Sequence, residues 1–220
     1  MKINLKAAVA CLASAVLLTA CGSPARPAAP DQLNEWQFII TLYPKTAPIT
    51  CENFEKLVDE KFYDGLTFHR VVENFMAQGG DPQGTGMGGS SKQIKGEFSA
   101  NGVKNTLSHK RGVVSMARSR DMNSASSQFF ICYVDYTPLD GNYAAFGEVT
   151  EGMEVVDNFL KVERSYNTGG ELASPNTPIT IDTMIMIEDD KEGHPRVLVT
   201  MKDFLTGATT YPATESVQDD

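Results

Sequence analysis

The apolar residues of this chain fall into short, strand-length runs broken by glycine, proline and aspartate, and this punctuation constrains the fold most. From Trp36 to Leu42, Trp36, Phe38, Ile40 and Leu42 alternate with Gln37, Ile39 and Thr41, a period of two that predicts a strand. Thr67–Val72 and Phe75–Gln78 are two more such runs, joined by Glu73-Asn74. Val113–Ala117, Phe129–Val134, Ala145–Val149 and Ile179–Ile187 add further strands. Two segments read as helices. One starts at Pro48, a residue suited to the first helical position, and carries Phe54, Leu57 and Val58 on one face before Tyr63-Asp64-Gly65 closes it. The other runs from Met153 to Leu160 after Gly152, while Arg164 to Pro178 reads as a polar loop. Many short strands with two helices predict a mainly β domain, a barrel or sandwich with helical caps.

The N-terminus is different material. Lys2 and Lys6 precede an almost wholly apolar run from Ala7 to Leu18, too short for a membrane span, so residues 1–20 are expected to be a signal peptide. The run ends in Leu18-Thr19-Ala20-Cys21-Gly22, which resembles the lipobox of bacterial lipoproteins and implies lipidation of Cys21. An ordinary signal peptide with a chance cysteine is the alternative. Residues 21–34, rich in Pro and Ala, then read as a flexible tether, and residues 35–188 as the folded domain. The expected location is the extracytoplasmic side of a bacterial membrane. The net charge of −9 argues against a nucleic-acid partner, which needs a basic face. Beyond Cys11 in the leader and Cys21, only Cys51 and Cys132 remain, without metal-ligand spacing, and they are expected to be free and buried.

The chemistry-bearing run is Phe68-His69-Arg70-Val71-Val72-Glu73-Asn74-Phe75-Met76-Ala77-Gln78-Gly79-Gly80-Asp81. An arginine inside an apolar strand must be paired or face water. Alternation places Phe68, Arg70 and Val72 on one side and His69 and Val71 on the other. The turn after Val72 then brings Phe75 and Gln78 back beside Arg70, a polar fork against an apolar wall.

This run resembles the signature of the cyclophilins. The resemblance continues through Gly84-Thr85-Gly86, Glu97-Phe98, Ser115-Met116-Ala117-Arg118, Ser127-Gln128-Phe129-Phe130-Ile131 and Leu139-Asp140-Gly141-Asn142-Tyr143-Ala144-Ala145-Phe146-Gly147. It implies a closed eight-stranded antiparallel β-barrel capped by two helices. It also implies peptidyl-prolyl cis/trans isomerase activity on proline-containing polypeptides, by a monomer that needs no cofactor or metal. Arg70 would be the catalytic donor, braced by Gln78. Phe75, Met76, Phe130 and Leu139 would wall the proline ring, and Ala117, Arg118, Gln128 and Tyr143 would hold the peptide. A binding module with little catalysis, acting as a proline-peptide chaperone, is the alternative function.

Two departures from the family pattern stand out. Pro138 occupies a place where many members carry an aromatic or histidine, and Tyr143 stands where animal members have histidine. Gly84-Thr85-Gly86-Met87-Gly88-Gly89 satisfies G-x-G-x-x-G on paper, but it lacks the strand before and the helix after that a dinucleotide site needs. His69 and His109 read as structural. Relatives begin with a strand and a turn that Asp31–Glu35 is too short and polar to supply. Within the acidic extension, residues 189–220, the stretch 195–203 looks like that strand moved to the C-terminus, as in a circular permutation; an unrelated extension is the other reading.

Overall fold

The computed structural model describes residues 25–206; the leader, Cys21 and the end of the acidic tail lie outside the described residues. The predicted strands form as β1 (Gln37–Leu42), β2 (Thr67–Val72), β3 (Met76–Asp81), β4 (Val113–Met116), β5 (Phe129–Cys132) and β6 (Ala145–Glu151). Helix α1 spans Pro48–Asp59 and a short α2 spans Met153–Asp157. The stretch read as a polar loop instead forms a hairpin of β7 (Arg164–Tyr166) and β8 (Leu172–Pro175), followed by β9 (Ile181–Ile187) and β10 (Arg196–Met201).

Eight strands make one antiparallel sheet in the order β2-β3-β5-β4-β6-β1-β10-β9. The sheet is curled but open, which corrects the expected closed barrel. Its edge strands meet only at one end, through a bridge between Thr67 and Thr180 and a 2.9 Å bond from the Phe68 N–H to the Ile179 carbonyl. The reason lies in β2. Phe68 pairs with Gly79 and Arg70 with Gln78, so His69 is an extra residue in a bulge, and a bulge bends its strand. Beyond it β8 packs beside β2, and Arg164 of the hairpin donates to the Val71 carbonyl at 3.3 Å. The bulge also corrects the expected alternation. Phe68 and Val71 both enter the core, leaving Arg70 and Val72 on the opposite face.

The last of the described strands lies between two others. β10 pairs with β1 (Phe38 opposite Val199, Ile40 opposite Val197) and with β9 (Val197 opposite Met186). Inside the curl, Phe54, Tyr63, Phe68, Phe129, Phe146 and Phe159 are fully buried and meet at ring separations of 4.9 to 5.7 Å. Outside it, Ile39, Ile187 and Leu198 form a separate cluster covered by Ala29 and Leu33.

That cover corrects the flexible-tether expectation for the described part of residues 21–34. Arg26 pairs with Glu55 and with Asp189, each at 2.9 Å, and the Glu188 N–H donates to the Pro27 carbonyl at 2.8 Å. The segment therefore lies along the outer face of the sheet.

Helix α1 is capped from a distance. Ala47 before it offers no side-chain cap, and the buried Glu97 carboxylate accepts from the Ile49 N–H (3.1 Å), the Thr50 N–H (2.8 Å) and the Thr50 hydroxyl (2.7 Å). A negative group at the positive end of the helix also suits its dipole. Cys51 and Cys132 are buried free thiols, and burial pushes each up to about 12.

Candidate active site

The site is built on the β2–β3 hairpin. Asn74, at φ 59°, takes the left-handed turn position that asparagine tolerates, and Val72 faces Met76 across the ladder while Arg70 faces Gln78. On the next strand Phe130 sits opposite Gln78, and Ser115 of β4 sits opposite Phe130. Leu139 comes from a 3₁₀ turn (Thr137–Leu139), with Tyr143 just beyond it. Gly80 is fixed by geometry. At φ 81° a side chain there would be strained, and its Cβ would meet the Ser127 carbonyl at 2.5 Å.

These elements enclose a cavity of about 140 Å³. Phe75, Met76, Phe130 and Leu139 supply its apolar lining, Arg70 and Gln78 its polar wall, and Ala117, Arg118 and Tyr143 its rim. A void of about 150 Å³ holds one benzene ring, so this one suits a single small ring. Gln128 does not line it. It lies in the adjoining groove with Gly86, Gly88 and Ser119, and Ala117 and Arg118 border both spaces. The structure thus brings nine of the ten residues proposed for catalysis and substrate contact to one cavity and the tenth to its side.

The polar wall is a chain of hydrogen bonds. Arg70 Nη1 donates to Gln78 Oε1 (3.2 Å), Gln78 Nε2 to Gln128 Oε1 (2.8 Å), and Gln128 Nε2 to the carbonyls of Gly86 (3.1 Å) and Gly88 (2.7 Å). The other edge of Arg70 is held by a residue that the sequence reading missed. Glu171, in the β7–β8 hairpin, accepts from Nε (2.7 Å) and Nη2 (2.8 Å). The Arg70 hydrogen bonds hold its carboxyl below the ordinary range, outweighing the opposing effect of burial. Asn167-Thr168-Gly169-Gly170 is a turn signal between two short runs, so the hairpin had a signature in the sequence.

Arg118 is clamped, its guanidinium 5.1 Å from the Phe98 ring and 4.8 Å from the Tyr143 ring. Tyr136 packs on Phe75 at 4.8 Å, an aromatic contact two residues before Pro138. His109 is buried between Asp140 (Nδ1 at 2.8 Å) and the Ser115 hydroxyl (Nε2 at 3.0 Å). This set looks like a hydrolase triad, but Ser115 is completely buried behind Phe130 and no substrate can reach it. Its role is to tie the Asp140 turn, and hence Leu139, to β4.

The glycine-rich loop is not a phosphate cradle. The Asp81 carboxylate already accepts the N–H groups of Gln83, Thr85, Gly86 and Gly88. Burial alone would raise this carboxyl, yet the four donors hold it below its usual range. Asp190, Glu192 and His194 bring three possible metal-ligand atoms within 4.8 Å of one another in the β9–β10 turn. Asp190 there is already engaged by the Glu192 and His194 N–H groups and the His194 ring.

Comparison with known proteins agrees with this geometry. Residues 32–185 match the family model for cyclophilin type peptidyl-prolyl cis-trans isomerases, a match that stops before β10. A peptidyl-prolyl cis-trans isomerase of Helicobacter pylori is 45% identical over 126 residues, 56% of this chain and 74% of that protein. Peptidyl-prolyl cis-trans isomerase B of Bacillus subtilis is 47% identical over 117 residues, 53% of this chain and 78% of that protein. Among solved structures, a Cryptosporidium parvum cyclophilin type isomerase, determined in the presence of the dipeptide Ala-Pro, aligns with a TM-score of 0.57. It is 28% identical and covers 74% of this chain and 92% of its own. The chain belongs to the cyclophilin-type peptidyl-prolyl cis-trans isomerase family.

Proposed function

We propose that this isomerase acts on X–Pro bonds of exported or surface polypeptides, with Arg70 as the catalytic donor, while held to a bacterial membrane by lipid on Cys21. Rotation about an amide costs about 18–20 kcal/mol because the nitrogen lone pair is shared with the carbonyl. In the twisted state that pair localises on nitrogen, so a donor aimed at it binds the transition state better than either planar form. The ring-sized cavity carries the reading, because it has room for a proline ring against the wall that presents the Arg70 guanidinium. Gln78 fixes Nη1 and turns toward the bound backbone, while Phe75, Met76, Phe130 and Leu139 exclude water from the ring. Ala117, Arg118, Gln128 and Tyr143 grip the flanking peptide. About 1.4 kcal/mol of differential binding gives tenfold in rate, so a few such contacts suffice. A monomer is the expected state.

A proline-peptide isomerisation assay tests the enzymatic reading. Arg70→Ala is expected to lower kcat/KM by about 100-fold or more, in line with the loss of a donor aimed at transition-state charge. Equal rates in both proteins sink it and favour a binding module. For the anchor, Cys21→Ala should move the protein from the membrane fraction to the soluble one, and an unchanged distribution contradicts lipidation.

A further inference from the structure

Arg70 is held from both sides, and only one of its holders borders the ring cavity. Gln78 lines the cavity; Glu171 does not. The carboxylate instead takes the far edge of the guanidinium, Nε at 2.7 Å and Nη2 at 2.8 Å, which leaves Nη1 facing Gln78 and Met76. A bidentate carboxylate fixes the plane of a guanidinium as well as its position, something a single bond to Gln78 cannot do. Glu171 is itself held in place. Asn167 Nδ2 donates to Glu171 Oε2 at 3.2 Å, and Asn167 Oδ1 accepts the N–H groups of Gly169 and Glu171, each at 3.0 Å. The Asn167 N–H closes the turn on the Glu171 carbonyl at 2.9 Å, with Gly170 at φ 78°.

Resting on the reading of Arg70 as the catalytic donor, we propose that Glu171 is a positioning residue for the isomerase reaction. It holds the guanidinium plane so that Nη1 is presented to the bound X–Pro bond. An arginine left free loses rotamer freedom as the transition state forms, whereas one already clamped does not. The clamp joins the β7–β8 hairpin to the glycine-rich loop through the continuous path Asn167, Glu171, Arg70, Gln78, Gln128 and the Gly86 and Gly88 carbonyls. The hairpin, which supplies no wall to the ring cavity, thereby becomes part of the catalytic apparatus.

The test compares Glu171→Ala and Glu171→Gln with wild type by isomerisation kinetics, proline-peptide affinity, thermal melts and NMR of the Arg70 Nε–H group. The Glu171 side chain is about a third exposed, so both variants are expected to melt near wild type, and the glutamine preserves volume if the alanine proves unstable. Expected is a roughly tenfold fall in kcat for Glu171→Ala with peptide Kd changed less than about twofold. In an Arg70→Lys background, where no bidentate fork exists, the same change should cost less than about twofold. Equal losses in both backgrounds overturn the proposal, as does an unchanged rate. A faster variant also overturns it, by showing that the carboxylate competes with substrate. Should the protein have no isomerase activity, the functional reading fails on its own ground. The NMR arm then still decides the positioning claim: a sharp, slowly exchanging Nε–H that is lost in Glu171→Ala supports it, and an unaltered signal overturns it.

Discussion

Ile39 and Leu198 face each other across the β1–β10 ladder, joining the start of the domain to its last strand. Without β10, strands β1 and β9 would each expose an edge, and the cluster of Ile39 and Ile187 would lose Leu198. Deleting residues 193–220 is therefore expected to lower Tm by more than about 10 °C or to abolish cooperative unfolding. Val197→Asp, at a fully buried position, should cost about 4 kcal/mol or more by placing a charge in the core. A truncated protein that melts at the wild-type temperature contradicts this role for β10.

The N-terminal segment should behave as part of the domain. Arg26 makes two ion pairs with its side chain about a third exposed, so Arg26→Ala alone is expected to cost about 1 kcal/mol or less. Combined with Leu33→Asp, it should release residues 27–34 from the sheet. Limited proteolysis and hydrogen exchange then read the segment directly. Cleavage there at equal rates in wild type and double variant is the contrary result.

Glu97 should matter for stability and little for chemistry. Its carboxylate satisfies two N–H groups of the first helical turn and one hydroxyl, in a residue 2% exposed. Glu97→Ala is expected to destabilise by about 3 kcal/mol in urea titration, because the donors are left buried and unpaired. An effect under about 1 kcal/mol shows that water replaces the cap.

Two histidines whose ring nitrogens are withdrawn from solvent set a pH dependence. Burial lowers the pKa of both His69 and His109 below the ordinary 6.5, against opposing contributions from Asp81 and Asp140 respectively. The unfolded chain takes up protons near pH 6.5 that the folded one refuses, so stability is full above that pH and declines as pH falls toward the folded values. Among the described residues, neither ring nitrogen of His69 has a hydrogen-bond partner. His69→Leu is expected to make the decline between pH 7 and 5 shallower while leaving Tm at pH 7.5 equal or higher. Parallel Tm-against-pH curves for the two proteins exclude His69 as a contributor.

Strands β1 to β6 and β9 were legible as short apolar runs bounded by turn residues; β4 and β5 are buried at every residue, so the run and not an alternation carries their signal. The partnership of Arg70, Gln78 and Phe75 followed from a hairpin read off Glu73-Asn74. Glu171 was not legible. Its hairpin is held by its turn and by polar contacts to β2, neither of which produces apolar periodicity. The bulge at His69 was hidden too, since an inserted residue changes the register without changing composition. Residues 21–34 read as linker because Ala29 and Leu33 are the apolar residues packed on the outer cluster, too few to form a pattern. Glu97 gave no capping signal at all, lying far along the chain from the helix it caps.

The place of β10 has a consequence in time. A ribosome delivers β1 early and its neighbour β10 last, so β1 can be hydrogen-bonded on one edge only until residue 201 has left the exit tunnel. The sheet therefore cannot be completed before β10 emerges, because that strand occupies the slot between β1 and β9. An isomerase built in this order completes its own sheet late.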